Sequence, residues 1–568
     1  MGWRRWQAWA PACWSLALAL LLLGPALGPG LVLTYDMVWV PDLAVRPDVW
    51  GLGSALPRAV PSDAVVAVLD EVVPGAVLQH LVLLGLLVAG GTGAARLLPG
   101  ERLSPRLVAV SAYVWTPFVA ERLLLGAWPV LVLHGLLPWL VLLGRRWRTT
   151  GRLPPALLVV LPLGCLSASA GVAAVVALLA ATAGPRRPTY GAVGLLAAAN
   201  APWVVTGLTH AADATSDRVG AEVFALDGHG VLPAPLEALA LGGTWNSEVV
   251  LPARGGVLAW VGLVLLVAVA ATARSWWRAT GRRDALALVV PWSVGLVLAL
   301  VTWAAPGAVG WVAATVPGGG LLRDGARSLV LCAPLVAVLA GHAAGRLVDR
   351  LAQRVDDPAP RAVLAGGLVL VPLMLLPDAA LGLAGRLGVV ETPASYAAAR
   401  EAAARVDGDA LVLPLTAYRA PAWNDRRPTL DPMPRWLRND AVASDRLLVD
   451  TDDGPVVVAG EDPRVAAADR ALAAPTPEAR ATALAALGIA VVVVERDAGE
   501  APEVAGRVLL ERPEVTVLAL ADPAERDRSP GLVFVTSLAW AAYAGGPLAA
   551  VLLGLRKIVR TIRRRVRR

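Results

Sequence analysis

An α-helical membrane protein of about twelve transmembrane helices, with a small C-terminal α/β domain on its extracytoplasmic side, is the fold the sequence predicts. Three observations predict it. The 568-residue chain is 57% hydrophobic and 17% charged with a mean hydropathy of +0.61, whereas soluble proteins are about 25% charged. Arginine clusters recur between its apolar runs. Its one long polar region, towards the C-terminus, alternates strand-like and helical patterns.

The N-terminus is basic at Arg4 and Arg5, and an apolar run extends to Leu33. A signal peptide has an apolar centre of about 7–15 residues, whereas a spanning helix needs about 20, so this segment is expected to stay as a first helix. Short arginine-rich loops remain in the cytoplasm. The clusters are Arg96, Arg102 and Arg106; Arg145, Arg146, Arg148 and Arg152; Arg186 and Arg187; Arg274, Arg278, Arg282 and Arg283; Arg346, Arg350 and Arg354; and the C-terminal tail. Between them the spans fall at 76–96, 107–120, 128–143, 155–166, 169–183, 190–209, 257–273, 285–304, 328–344, 362–381 and 532–555. One long helix or two short ones fit 155–183 equally well. Both termini are then cytoplasmic.

The domain plan follows. Residues 1–381 form the transmembrane domain with outer loops at 34–75 and 210–256, 382–530 form the extracytoplasmic α/β domain, 531–555 the final span, and 556–568 a basic cytoplasmic tail. In the first loop, Val65, Val68, Leu69 and Val72 recur at helical spacing opposite Asp63, Ala67 and Asp70, so a helix is expected along the membrane surface. In the polar region "DALVLPL", "PVVVAG", "IAVVVVE" and "VTVLAL" read as strands, "PRVAAADRALAA" and "PEARATALAALG" as helices, and Gly488 as a helix stop.

Net charge is +7, carried by arginine because Lys557 is the single lysine. Beside an apolar helix the tail "RKIVRTIRRRVRR" is a lipid-headgroup anchor, and no nucleic-acid partner is expected. Cys13, Cys165 and Cys332 all lie in apolar runs, which excludes a disulfide framework or zinc cluster and leaves buried, unreactive thiols. A phosphate-cradling glycine loop is also missing, which argues against a nucleotide-driven pump.

The chemistry-bearing residues gather at one membrane face. "LTYDMVWVPDL" presents Asp36 and Asp42 as soon as the first helix ends; "YVWTPFVAERLLLGAW" brings Glu121 and Arg122; "VPGGGLLRDGARSLVL" brings Arg323, Asp324 and Arg327. Neighbouring Glu121 and Arg122 point different ways on a helix, so one of them faces another segment. Arginines at a helix start are electrostatically misplaced unless they face an anion. Such a set suits a lipid-linked phosphosugar. Its phosphate rests at headgroup level against arginine forks that stay charged, and a carboxylate near the anomeric carbon takes the proton of the acceptor hydroxyl. His210 closes the seventh span as a supporting residue, whereas His134, inside the fourth, reads as helix packing. Trp423, Asp431, Arg435 and Trp436 of "YRAPAWNDRRPTLDPMPRW" could stack on and hydrogen-bond a glycan acceptor, or anchor a folded loop at the interface.

This pattern resembles the GT-C superfamily of membrane glycosyltransferases that use polyprenyl-phosphate sugars, and "YVWTPFVAERLLLGAWPVLVLHGLLPW" and "LLRDGARSLVL" look like actinobacterial members. It is loosely similar to the arabinofuranosyltransferases that use decaprenyl-phosphate arabinose in cell-wall biogenesis. The resemblance implies an acid of the first outer loop as catalyst, here Asp36 with Asp42 as second choice, and Arg323 as first phosphate contact with Arg327 and Arg122 beside it. It implies a lipid-linked sugar of the arabinofuranose or mannose class as donor and a cell-envelope glycan or lipid as acceptor. A divalent metal is compatible with the family, but the first loop has no D-D or D-x-D pair, and Asp36, Asp42 and Asp48 stand six residues apart, so no metal ligand is assigned. Two rival classes remain: a transporter or flippase of lipid-linked sugars, which needs ionisable residues near the bilayer midplane, and a non-catalytic lipid-binding scaffold.

Overall fold

The computed structural model describes residues 2–566 apart from 55, 57, 101, 185, 212, 213, 452 and 453, with side chains from 7 to 556 except 451. Arg4, Arg5 and the tail from Lys557, which carry the expected orientation of the termini, have side chains outside that set.

The chain is a multi-pass membrane protein. Among the described residues eight helices are long and apolar enough to cross a bilayer: Gln7–Leu27, Gly75–Leu97, Leu103–Leu124, Trp128–Thr150, Arg186–Thr209, Arg282–Ala304, Pro358–Leu375 and Pro530–Arg556. Two bent pairs, Val257–Ala270 with Ala273–Thr280 and Gly325–Leu331 with Ala333–Ala352, bring the number to ten. The ambiguous stretch resolves into two short helices, Leu157–Gly164 and Ala168–Thr182. Pro162 withholds an amide from the first, and Ser167 caps the second by accepting from the Ala170 amide. All twelve expected segments are therefore helical, and the difference from ten lies in these two pieces, each shorter than a bilayer is thick.

Cys165 and Cys332 are buried, but Cys13 is exposed. An apolar neighbourhood in a spanning helix means lipid as readily as protein, so the expectation of burial fails there. His134 behaves as helix packing: its ring stacks on Tyr113 with centroids 4.2 Å apart, and the Tyr113 hydroxyl donates to its carbonyl at 2.6 Å.

The loop 34–75 is sewn to the C-terminal region from its start. Leu31–Val32 pairs antiparallel with Val389–Val390, and on the other edge the Gln79 side chain imitates a strand. Its amide donates to the Val32 carbonyl at 2.7 Å while its oxygen accepts the Val32 amide at 2.9 Å. The expected loop helix is present as Ser62–Asp70. Small residues Ala64 and Ala67 turn inwards with Val66, while Val68, Leu69 and Val72 remain uncovered, an apolar strip free to meet lipid. Ala67 thus lies on the protein side and not on a solvated face, because its small side chain permits close packing.

Asp70, at the end of that helix, accepts the Leu43 amide at 2.8 Å. Burial, with Asp42 and Glu71 adding repulsion, pushes its carboxyl up to about 6. A raised acid pKa favours the folded state while the group is protonated, so this contribution is present below about pH 4 and is lost as pH rises through 6. Asp70→Asn is therefore expected to stabilise the protein by about 1 kcal/mol above pH 7, after allowance for solvent screening, and not at pH 4. Thermal unfolding in detergent at the two pH values checks this; an equal effect at both would contradict it.

The C-terminal region holds a five-stranded sheet in the order Arg507–Glu511, Val515–Ala519, Ile489–Glu495, Asp409–Leu413, Ala441–Val442. The last three strands run parallel and the others antiparallel. Helices Pro463–Leu472 and Pro477–Ala485 make the crossover from Ala441–Val442 to Ile489–Glu495, and Gly488 turns the chain at φ +80°. Alternation along a strand assigns two faces. Leu411 and Leu413 pack on the crossover helices, whereas Ala410 and Val412 join the core that runs on into the membrane helices. This shared core presses the sheet and its loops onto the loop 34–75.

Candidate active site

Asp36 is held by backbone geometry. After Leu33 the chain turns so that the Thr34 hydroxyl donates to the Leu124 carbonyl at 2.8 Å and the Asp36 amide donates to the Leu125 carbonyl at 3.0 Å. The turn rests on Gly126, whose φ is +72° and whose missing Cβ would stand 2.0 Å from the Met37 nitrogen. Both facts demand glycine. Gly126→Ala is expected to displace the 34–37 turn and to lower both thermal stability and whatever activity Asp36 supports. A normal melting midpoint in detergent would refute the contact. On the far side of the turn, the Tyr35 amide donates to the Pro428 carbonyl at 2.7 Å and the Leu430 amide to the Tyr35 carbonyl at 2.9 Å. Tyr35 itself adopts φ +41°, an uncommon conformation for a bulky residue.

The Asp36 carboxylate accepts the hydroxyl of Tyr418, from the loop after Asp409–Leu413. Burial and the adjacent Asp36 charge hold that phenol well above its ordinary pKa, so it stays a donor. Asp36 also lies within electrostatic reach of Arg327 and Arg435. Arg327 is paired at 2.8 Å with Asp324, which Arg122 meets from behind at 3.1 Å. The side chains of Arg122 and Asp324 are 1% and 3% exposed, that of Arg327 39%. Arg122 therefore neutralises Asp324 inside the protein, and Arg327 is the member open to a ligand. The expectation that Arg122 reaches a phosphate gives way to this enclosed role.

Arg323 belongs to an adjoining group. Its guanidinium lies 4.9 Å from the Phe224 ring centroid and 3.7 Å from Glu461. Glu461 also takes Arg58 at 2.9 Å and accepts the Ser216 hydroxyl at 2.6 Å. Burial, with Arg58 close by, brings the Arg323 guanidinium down to about 10. Arg58, which Asp445 also meets at 3.0 Å, Arg323 and Arg327 thus form one patch of paired arginines near Asp36, contributed by the first loop and the approach to the Gly325–Leu331 turn. A cavity of about 260 Å³ opens between the first loop and the C-terminal region, lined among others by Asp48, Arg58, Asp63, Asp431, Arg435 and Glu461.

The remaining expected residues divide. Asp42 is paired with Arg400 of the Ala394–Ala403 helix, away from this patch. Glu121 is buried beneath the loop 210–256, next to Gly242, so it and Arg122 do face different segments. His210 closes Arg186–Thr209 and contacts the Gly53 carbonyl at 3.2 Å. Arg435 is paired with Asp63 at 2.9 Å and Asp431 with Arg419 at 2.6 Å, both on the cavity wall. Trp423 and Trp436 pack around Tyr396 instead, with centroids 5.6 and 6.4 Å away, and offer no stacking platform to the cavity. Among the described residues no three His, Cys, Asp or Glu side chains are placed to share a metal ion. Tyr418, Arg58 and Glu461 escaped the sequence reading. Tyr418 opens the segment that was singled out for its tryptophans, and Arg58 is one of two arginines in an otherwise acidic loop.

No protein-family model matches the chain, and no curated protein matches it. Among solved structures it is similar to the arabinofuranosyltransferase AftD from Mycobacteria, with TM-score 0.49 and 19% identity over 92% of this chain and 40% of that one. It is also similar to the archaeal oligosaccharyltransferase AglB from Archaeoglobus fulgidus, with TM-score 0.34 and 12% identity over 87% of this chain and 69% of that one. The chain thus spans 40% of the length of AftD.

Proposed function

We propose that the protein is a membrane glycosyltransferase that moves a sugar of the arabinofuranose or mannose class from a polyprenyl-phosphate donor to a cell-envelope glycan or lipid on the extracytoplasmic face. The observation that carries this reading is the nearness of Asp36, held by Tyr418, to the partly exposed side chain of Arg327. Asp36 takes the proton of the acceptor hydroxyl, the hydroxyl oxygen bonds to the anomeric carbon, and the carbon–phosphate-oxygen bond breaks. The electron pair leaves on the polyprenyl phosphate, whose charge Arg327 and Arg323 stabilise. A single displacement of this kind inverts the anomeric centre. Arg58 reinforces the patch, and the neighbouring cavity receives the acceptor against Asp431 and Arg435. Sugar transfer from decaprenyl-phosphate donors to membrane glycan acceptors, by the reconstituted protein and its Asp36→Asn variant, tests the proposal.

A further inference from the structure

A second charged site lies at the other end of the molecule. The Asp36 turn rests on the Leu125 carbonyl, just before the helix Trp128–Thr150. That helix has 23 residues, so its far end is about 34 Å away, roughly the thickness of the hydrocarbon core. There a cavity of about 430 Å³ is lined by Arg148, Thr280, Gly281, Arg282, Arg283 and Asp284.

Its charges do not balance. Asp284 is the single acid of the lining, and its carboxylate is already taken by Arg148 and, at 3.7 Å, by Arg145. Arg148 also donates to the Ala181 carbonyl at 2.9 Å. Arg282 and Arg283 have no ion pair among the described residues. Arg282 and Arg283 are exposed, but Arg145 and Arg148 are only 12% and 5% exposed and share the one carboxylate of Asp284, which leaves a buried positive charge in excess. Buried cations of one sign repel unless an anion joins them. The Thr280 hydroxyl, buried on the cavity wall, has no hydrogen-bond partner either. Guanidinium forks with a hydroxyl donor suit the tetrahedral oxygens of a phosphate.

We infer that this cavity binds a phosphate-bearing anion, the headgroup of an anionic phospholipid in the leaflet opposite Asp36 or free phosphate. The inference stands apart from the proposed transferase reaction. The test uses the full chain in neutral detergent, with bound lipid counted by native mass spectrometry during titration with dioleoylphosphatidylglycerol or dioleoylphosphatidylcholine, and a separate titration with inorganic phosphate. Phosphatidylglycerol is expected to be held about tenfold better than phosphatidylcholine, and Arg282→Ser with Arg283→Ser to remove most of that preference. The exposed pair Arg186→Ser with Arg187→Ser is expected to leave it intact. Both arginines of the test pair are exposed, so an unchanged melting midpoint is expected to accompany the loss. Displacement of the lipid by millimolar phosphate assigns the site to the phosphate group itself, and failure to displace it assigns the site to the whole headgroup. No preference between the two lipids together with no phosphate binding, or equal losses in the two double variants, would overturn the inference.

Discussion

Replacing Asp36 by asparagine is expected to lower sugar transfer by about 10²–10⁴-fold, the usual contribution of a general base. The substitution is nearly isosteric. The amide oxygen of asparagine still accepts the Tyr418 hydroxyl, and the backbone bond from residue 36 to Leu125 does not involve the side chain, so the turn is expected to persist. What disappears is the capacity to take a proton. The loss should appear in kcat with little change in KM for the donor, because the phosphate patch of Arg323 and Arg327 is untouched. Asp42→Asn is the comparison: its carboxylate pairs with Arg400, and transfer is expected to stay within a few-fold of normal. Undiminished transfer by Asp36→Asn would remove Asp36 from the reaction.

The largest effect on stability is expected at Asp324. It lies buried between Arg122 and Arg327, and Asp324→Ala would leave Arg122, enclosed with its Nε lacking any acceptor, as an uncompensated buried charge. Breaking a buried pair in this way costs about 3–5 kcal/mol, whereas replacing both partners with apolar side chains is often neutral. Asp324→Ala should therefore melt well below the native protein in detergent, and Arg122→Met with Asp324→Leu should recover most of the difference. If the double variant is no better than the single one, the cost lies elsewhere than in the orphaned guanidinium.

Helical segments were legible where composition alone decides them. A run of about 20 apolar residues has no better conformation in lipid than a helix, since each backbone polar group must find its partner within the segment. The strands of "IAVVVVE" and "DALVLPL" were legible for a related reason, as short β-branched runs bounded by turns, and Gly488 showed where the chain must reverse. Side-chain environment was less legible. Periodicity in Ser62–Asp70 set an apolar strip along the membrane surface, and in the structure Val68 and Leu69 remain bare, but it put Ala67 on the opposite face, where the structure packs it inwards. Cys13 carries the same lesson.

The sequence by itself determined a multi-pass helical protein with an appended α/β region, and it placed Asp36, Arg323 and Arg327 at ends of apolar segments on one face, because burial preference and the needs of the backbone are local properties. Only the tertiary structure decided that Asp36 would meet Tyr418, 382 positions away, that Arg122 would vanish into a pair with Asp324, and that Arg58 and Glu461 would complete the patch. Those choices depend on which charges find partners across distant segments. An ion pair carries no periodic signature along the chain, and its partner is set by the packing of the whole molecule.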